Sequence, residues 1–312
     1  MPVGRVTGYP DYSFDATSKY IPILFAGKTL EKFYAKTIAT QISVTDYVGE
    51  VKNVGDRVII RTVPNITIRN YVKGGTLTLE YPESPAIEFS INRAKYYNFA
   101  IDDIDIKQMD MDYLNKFADD AAQQLKIVYD TEFLGTIYTQ VDPANTGPNA
   151  GRISGNLNLG DPGGATPTPI DIGSTGNSAI EVLIRCWQVL DEQNAPEEGR
   201  FIVLPPAIMS KFLNSELKQA NVMGDYRSIL RTGSIGRVLN FEFYTSNLLA
   251  KDTTSGGYHC IFGCKKATVF VMQLTKNELY RPQNTFANAM KGLAVYDFKV
   301  IQPTLLGHLF AI

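Results

Sequence analysis

Hydrophobic and polar positions alternate through most of the chain between residues 57 and 101, which is the period of a β-strand. One alternating limb ends at Arg69 and a second begins at Leu77, with Lys73-Gly74-Gly75-Thr76 between them. Paired glycines tolerate the positive φ of tight turns, so the pattern predicts a long β-hairpin. An isolated hairpin is marginally stable in water, and we therefore expect this one to lie against something else. Residues 87–91 and 97–101 alternate again and predict two further strands or one bent strand.

Two segments in the first half of the chain show the 3.6-residue spacing of an amphipathic helix. A short helix is predicted over residues 24–38, after an irregular polar stretch, residues 1–20, that is interpreted as an extended arm. Residues 109–140 contain no proline and predict a helix of about 48 Å, unless Gly135 ends it early. The acidic run Asp102-Asp103-Ile104-Asp105 suits the approach to a helix N-terminus.

The second half of the chain predicts a separate α/β unit. It follows residues 142–178, a segment rich in glycine and proline that is predicted to be a long loop. A helix over residues 179–193, capped by Asn177 or Ser178, begins the unit. The remaining elements are predicted to be a helix at residues 206–217 and strands at residues 201–204, 240–244, 260–272, 291–301 and 305–312.

Composition and charge exclude several classes of protein. The 312 residues are 44% hydrophobic and 20% charged, which is typical of a folded protein and excludes disorder, collagen and coiled-coil rods. Thirty basic and 32 acidic residues give a net charge of −2. A protein whose main function is to bind nucleic acid normally carries a surplus of basic residues, and this chain does not. No signal peptide and no apolar stretch of about 20 residues is present, so we expect a soluble protein made in a reducing cytoplasm.

Candidate catalytic and cofactor motifs are weak. Gly27-Lys28-Thr29 is similar to the tail of a phosphate-binding loop, but Pro22 stands where that loop needs a glycine. His259, Cys260, Cys264 and His308 are a possible zinc set. In a strand, however, Cys260 and Cys264 point to one face and His259 to the other, so buried reduced thiols are the favoured interpretation.

The acidic positions Asp102, Asp103, Asp105, Asp110 and Asp112 lack the glycine and terminal glutamate of a calcium loop. They are expected to cap the helix and to pair with basic residues of a neighbour, and a divalent ion between subunits is the alternative. With only two histidines and no local signature around either, we expect no cofactor and no enzymatic activity.

The order of the elements, together with four local motifs, resembles the major capsid proteins of tailed bacteriophages, the Hong Kong 97-type fold. Gly55-Asp56-Arg57-Val58-Ile59-Ile60-Arg61 is similar to that family's entry to its extended loop, and residues 97–103 resemble the strand leading to its spine helix. Residues 187–206 and 233–247 are similar to two runs of the family's axial domain, although Asn240 stands where glycine is commoner. The resemblance covers the chain from about residue 20 to the end.

The resemblance implies an α+β fold with an N-terminal arm, an extended β-hairpin loop, a long spine helix, a peripheral domain and an axial α/β domain. The expected division is residues 1–45 (arm and short helix), 46–95 (extended loop), 96–178 (peripheral domain), 179–284 (axial domain) and 285–312 (return to the peripheral domain). In this family the hairpin lies across the neighbouring subunit and the arm reaches another.

The function that this resemblance implies is a self-assembling icosahedral shell around a double-stranded DNA genome. The partners implied are other copies of the chain in hexamers and pentamers, a portal, and DNA held without sequence-specific binding, with no membrane. The expected location is the virion, assembled in the bacterial host cytoplasm. Because the extended-loop motif begins near residue 50, no fused scaffolding segment fits, and a separate scaffolding protein is predicted. The alternatives are an encapsulin-like nanocompartment and another virion protein such as a tail-tube subunit.

Contacts between subunits are predicted from charge placement. Hairpin residues are expected to meet acidic groups of a neighbour, and the set proposed is Arg57, Arg61, Arg69, Lys73, Asp110, Asp112, Asp119 and Asp120. Lys73 is also comparable with the lysine that cross-links neighbours in some family members. An exposed loop lysine is the favoured interpretation, since no acceptor or catalytic acid can be assigned.

Overall fold

The computed structural model describes residues 34–45, 57–61, 63–64, 66–83, 86–108, 113–163, 166–215 and 237–312. The chain divides into two compact units, residues 1–34 and 35–312. The predicted arm and most of the predicted helix over residues 24–38 lie outside the described residues.

Helices and strands of the described residues form a mixed α and β fold. The helices are α1 (Ala39–Ile42), α2 (Asp103–Gln108), α3 (Tyr113–Ile137), α4 (Ala179–Glu192) and α5 (Pro206–Leu213). The strands are β1 (Arg57–Arg61), β2 (Ala86–Ser90), β3 (Arg93–Asp102), β4 (Arg200–Leu204), β5 (Arg237–Val238), β6 (Phe241–Thr245), β7 (Tyr258–Cys264), β8 (Thr268–Tyr280), β9 (Ala287–Val300) and β10 (Leu306–Ala311). They build a two-stranded sheet β1-β2, a three-stranded sheet β3-β9-β8 and a five-stranded sheet β10-β7-β4-β6-β5, in which only β4 and β6 pair in parallel among these strands.

The long helix is present and runs for 25 residues, about 37 Å, before a 3-10 turn at Tyr138–Gln140. It passes through Gly135, so an early end at that glycine is wrong. Glycine lowers helix stability by about 1 kcal/mol relative to alanine. Here Phe133, Leu134 and Ile137 are fully buried around it, and their packing outweighs that preference.

The hairpin is present and the strands at its base are confirmed, since β1 lies on the predicted limb from Arg57 and β2 on the predicted strand at residues 87–91. β1 pairs antiparallel with β2, from Arg57 opposite Ser90 to Arg61 opposite Ala86. The predicted return limb through Leu77 and Tyr81 is not a strand, and neither are residues 66–72. The ladder therefore covers only the base of the hairpin, because the limbs nearer the tip lack a third strand or a core to pack against.

In the predicted α/β unit, the helices and strands predicted between residues 179 and 245 form, and they contribute to the larger of the two buried apolar clusters. The Ser178 hydroxyl caps α4 and the Glu181 carboxylate accepts the Ser178 N–H, which together make a capping box. β4 is buried along its whole length. The predicted loop at residues 142–178 packs onto this unit, where Leu159 is buried and Ile170 bridges to Ala311 of β10.

Sheet membership does not follow the expected boundary at residue 284. The single strand predicted at residues 260–272 is two strands, since β7 ends at Cys264 in the five-stranded sheet and β8 begins at Thr268 in the three-stranded sheet. β10, expected to return to the peripheral domain, instead pairs with β7. The chain therefore crosses between the two sheets twice after residue 264.

Candidate functional site

The hairpin between β1 and β2 exposes an unusual number of large apolar side chains. These side chains, which we call the hairpin surface, are 66% to 92% exposed, and they are Val63, Ile66, Ile68, Tyr71, Val72, Leu77, Leu79 and Tyr81. Large apolar patches on a soluble protein mark interaction surfaces. The hairpin surface is therefore the candidate functional site.

The hairpin keeps one register from base to tip. Residues equidistant from the Lys73–Gly74 peptide bond face each other in the β1-β2 ladder, and Thr67 and Glu80 hold the same register by two hydrogen bonds of 3.3 and 3.2 Å. At the tip the Gly75 N–H donates to the Val72 carbonyl at 3.0 Å, and Gly74 has a φ of +83°. The predicted turn at the paired glycines is confirmed.

The base of the hairpin is anchored on β8 by a small apolar cluster. Ile60 of β1 and Phe89 of β2 are buried with Ile91, Val269 and Val271. In addition, the Lys299 ammonium donates to the Glu88 carbonyl at 2.7 Å. The hairpin is thus fixed where it leaves the body, whereas its outer part is exposed.

Two carboxylates, those of Asp297 and Glu132, accept hydrogen bonds from residues at the junction between β2 and β3. The Asp297 carboxylate accepts the Asn92 N–H at 3.0 Å and Arg93 Nε at 3.2 Å. Glu132 of α3 accepts Arg93 Nη1 at 3.2 Å, Lys95 Nζ at 2.5 Å and the Tyr296 hydroxyl at 2.6 Å. Burial tends to raise the pKa of Glu132, but the hydrogen bonds from Lys95, Tyr296 and Arg93 lower it overall.

The predicted intersubunit residues fall on two elements. Arg69 and Lys73 are exposed on the hairpin, while Arg57 and Arg61 lie in β1, where their side chains are not described. Asp119 is exposed and Asp120 half-buried on α3, and Asp110 and Asp112 lie outside the described residues. Within the described part of the single chain, neither Arg69 nor Lys73 forms an ion pair. Their pairing with acidic groups of another copy stays a prediction.

The acidic run lies at the start of the short helix α2, with Asp103 and Asp105 in its first turn, and not at the start of the long helix that the sequence predicted after it. The Asp102 carboxylate accepts the Ile104 N–H at 2.9 Å. Asp103, however, pairs with Arg281 of the same chain, where a partner on a neighbouring subunit was expected. The structure joins the ends of β3 and β8 by this ion pair.

The histidines and cysteines of the possible zinc set do not converge. His259 Nδ1 lies 3.0 Å from His308 Nε2, and the Tyr138 ring stacks on His259 and lies tilted against His308. Cys260 and Cys264 are buried free thiols. Across the described ranges, no three His, Cys, Asp or Glu side chains form a group that could hold a metal ion. No helix in those ranges is long and apolar enough to cross a membrane.

Sequence reasoning missed the buried carboxylates that organise the region around the long helix. Asp130 of α3 accepts the backbone N–H groups of Ile38 at 2.5 Å and Ala39 at 3.0 Å, and so caps α1 from a distant part of the chain. Burial raises the pKa of Asp130, and these two hydrogen bonds oppose the increase. The available signal was an acidic residue within an apolar helical pattern.

Comparisons with known proteins identify the family. The model of the phage capsid protein family matches residues 89–304. A solved structure from Mycobacterium phage Che8 is 22% identical, covers 94% of this chain and 98% of its own, and has a TM-score of 0.74. The capsid structure of cyanophage P-SCSP1u is 18% identical over 93% of both chains, with a TM-score of 0.69.

The mature capsid of bacteriophage PhiM1 is 13% identical, covers 94% of this chain and 92% of its own, and has a TM-score of 0.68. No curated protein matches the sequence. The structural matches confirm the Hong Kong 97-type fold, and the family match covers more than half of the chain. The chain therefore belongs to the phage capsid protein family.

Proposed function

We propose that copies of this chain assemble into hexamers and pentamers of an icosahedral shell around double-stranded DNA, and that the hairpin surface of each copy packs on its neighbour. The observation that carries the proposal is the exposure of this surface, with Ile68 at 90% and Tyr81 at 83%. Each such side chain gains about 1.5–3 kcal/mol when it is fully buried. A shell repeats that contact in every subunit.

Charge agrees with this function. The chain has a net charge of −2, which is compatible with a shell that encloses DNA without binding it tightly. A separate scaffolding protein and a portal complete the proposed assembly in the bacterial cytoplasm. The family match favours this reading over a nanocompartment or a tail-tube subunit.

Substitution of Leu79 tests the proposal. Leu79 is 73% exposed, so Leu79→Asp should change the stability of the free subunit by no more than about 0.5 kcal/mol. A charge in the packed interface, by contrast, should abolish assembly. Negative-stain microscopy and sedimentation would compare Leu79→Asp with Leu79→Met, which keeps the apolar side chain, each expressed alone and with the candidate scaffolding protein. Uniform shells from Leu79→Asp in wild-type yield would contradict the proposed role of the hairpin surface.

A further inference from the structure

We propose that Asp297 and Glu132 form a two-carboxylate clamp that fixes the direction in which the hairpin leaves the body of the subunit, and so sets the geometry of the shell. The clamp is defined as these two side chains with Asn92, Arg93 and Lys95. The part of the inference that concerns the shell rests on the proposed function. The part that concerns direction stands on the single chain alone.

The clamp lies at the last point where β3 is held by a sheet. The β3-β9 ladder ends with Arg93 opposite Tyr296, and the next residues of the two strands are Asn92 and Asp297. The Asp297 side chain takes the Asn92 N–H in place of a ladder hydrogen bond. Its other oxygen accepts Arg93 Nε and the Phe298 N–H, the latter at 2.8 Å. Asp297 is only 8% exposed, so water competes little for these bonds.

The second carboxylate ties the same residues to the long helix. Glu132 binds both Arg93 and Lys95, while the Arg93 guanidinium also lies 4.4 Å from the centre of the Phe298 ring. Arg93 therefore joins β9 and α3 at once through a planar group with fixed donor directions. A lysine at this position would lack the geometry to bridge two carboxylates and a ring.

The direction of the hairpin depends on this junction because, among the described residues, it adds several directional bonds to the Lys299–Glu88 hydrogen bond and the apolar cluster at the base. Only Ile91 and Asn92 separate β2 from β3. The apolar cluster around Ile91 holds the base, but apolar contact has no preferred direction, whereas hydrogen bonds weaken steeply when they bend. The limb from Ser90 to Gly74 spans at most about 55 Å. A change of about 5° at the base would therefore move the tip of a fully extended limb by about 5 Å.

The test measures the direction of the hairpin in free subunits and the shell separately. Spin labels at Lys73→Cys on the hairpin tip and Gln124→Cys on α3 would report one distance by pulsed electron spin resonance. The native cysteines are buried and do not compete for the label. The variants are Asp297→Asn and Glu132→Gln. The matched control is Glu278→Gln, which removes another carboxylate of the three-stranded sheet that is bound by Lys276 and Lys291, away from the hairpin.

We expect one narrow distance distribution in the unsubstituted background and in Glu278→Gln, and its loss in Asp297→Asn and Glu132→Gln. If Asp297→Asn fails to fold, the distance distribution of the more exposed variant Glu132→Gln still tests the clamp. Unchanged distributions in the folded clamp variants would overturn the clamp, whether or not shells form. Broad distributions with shells of wild-type diameter and uniformity would overturn its role in shell geometry. Absence of shells from the wild-type chain with its scaffolding protein would count against the proposed function and leave the direction measurement valid.

Discussion

Acidification from about pH 7.5 to about pH 5.5 is expected to destabilise the unassembled subunit because His308 is buried as a neutral side chain. His308 is 2% exposed, and burial, followed by the nearby His259, lowers its pKa to about 3. Histidine in an unfolded chain has a pKa of about 6.5. The unfolded state therefore takes up a proton in this range that the folded state cannot, and stability falls with the pH.

The magnitude follows from the two pKa values. Proton uptake by the unfolded chain between about pH 7.5 and pH 5.5 gives a loss of about 1.4 kcal/mol for His308 alone. His259 acts in the same direction, because burial lowers its pKa and the charge of Asp252 only partly opposes this. Carboxylates contribute at lower pH. For example, burial of Glu192 is outweighed by hydrogen bonds from the Ser154 and Ile153 N–H groups, and its pKa is about 2.

Urea unfolding of the free subunit at the two pH values would measure the effect. His308→Asn can still hydrogen bond with Thr146, which lies 3.0 Å from His308 Nδ1, but it cannot titrate. We expect the wild-type free energy of unfolding to fall by about 1.4 kcal/mol or more, and that of His308→Asn to fall much less. His259→Asn, which leaves His308 in place, is the control and should retain most of the decrease. A decrease of wild-type size in His308→Asn would refute the reasoning.

Two further substitutions test other parts of the structure. Asp130→Ala leaves two buried N–H groups at the start of α1 without an acceptor, and should lower the free energy of unfolding by about 1–3 kcal/mol. The control is the exposed Asp119→Ala, which should change the free energy of unfolding by less than about 0.5 kcal/mol. Equal effects of the two substitutions would contradict the role of Asp130 as a cap. Arg69→Glu should lower the shell yield measured by sedimentation, and a second reversal, Asp119→Lys, should restore it if these two residues meet between copies. Unchanged yield in Arg69→Glu would remove that ion pair from consideration.

The hairpin shows which part of the fold the sequence could predict. The turn at Gly74 and Gly75 was predictable because positive φ is a local property of the chain. The strands at the base, β1 and β2, were also predicted, but the point where the ladder ends was not, because alternation signals a half-buried surface and does not say which molecule covers it. Leu77 and Leu79 alternate with polar residues as a strand would, yet both are exposed and neither lies in a ladder.

The buried polar contacts between distant parts of the chain were harder to predict from the sequence. Asp297 contacts Arg93 across 204 positions of sequence, and no local motif marks such a pair. His259 and His308 are also distant in sequence, and only the pairing of β7 with β10 brings them together. A charged residue inside an apolar strand pattern, such as Asp297 between Tyr296 and Phe298, was the one usable signal, because a buried charge needs a partner.

Apolar contacts and carboxylate hydrogen bonds have different effects at the base of the hairpin. Burial of Ile60, Phe89 and Ile91 against β8 supplies free energy, but it would tolerate the hairpin at several angles. The hydrogen bonds of Asp297 and Glu132 replace bonds to water, which limits the net free energy that each adds, and unlike apolar contacts they weaken steeply when they bend. An element that lacks a core of its own can thus be held ready for a neighbouring copy. The packing that we propose between copies would then give the exposed alternation along its limbs a physical cause.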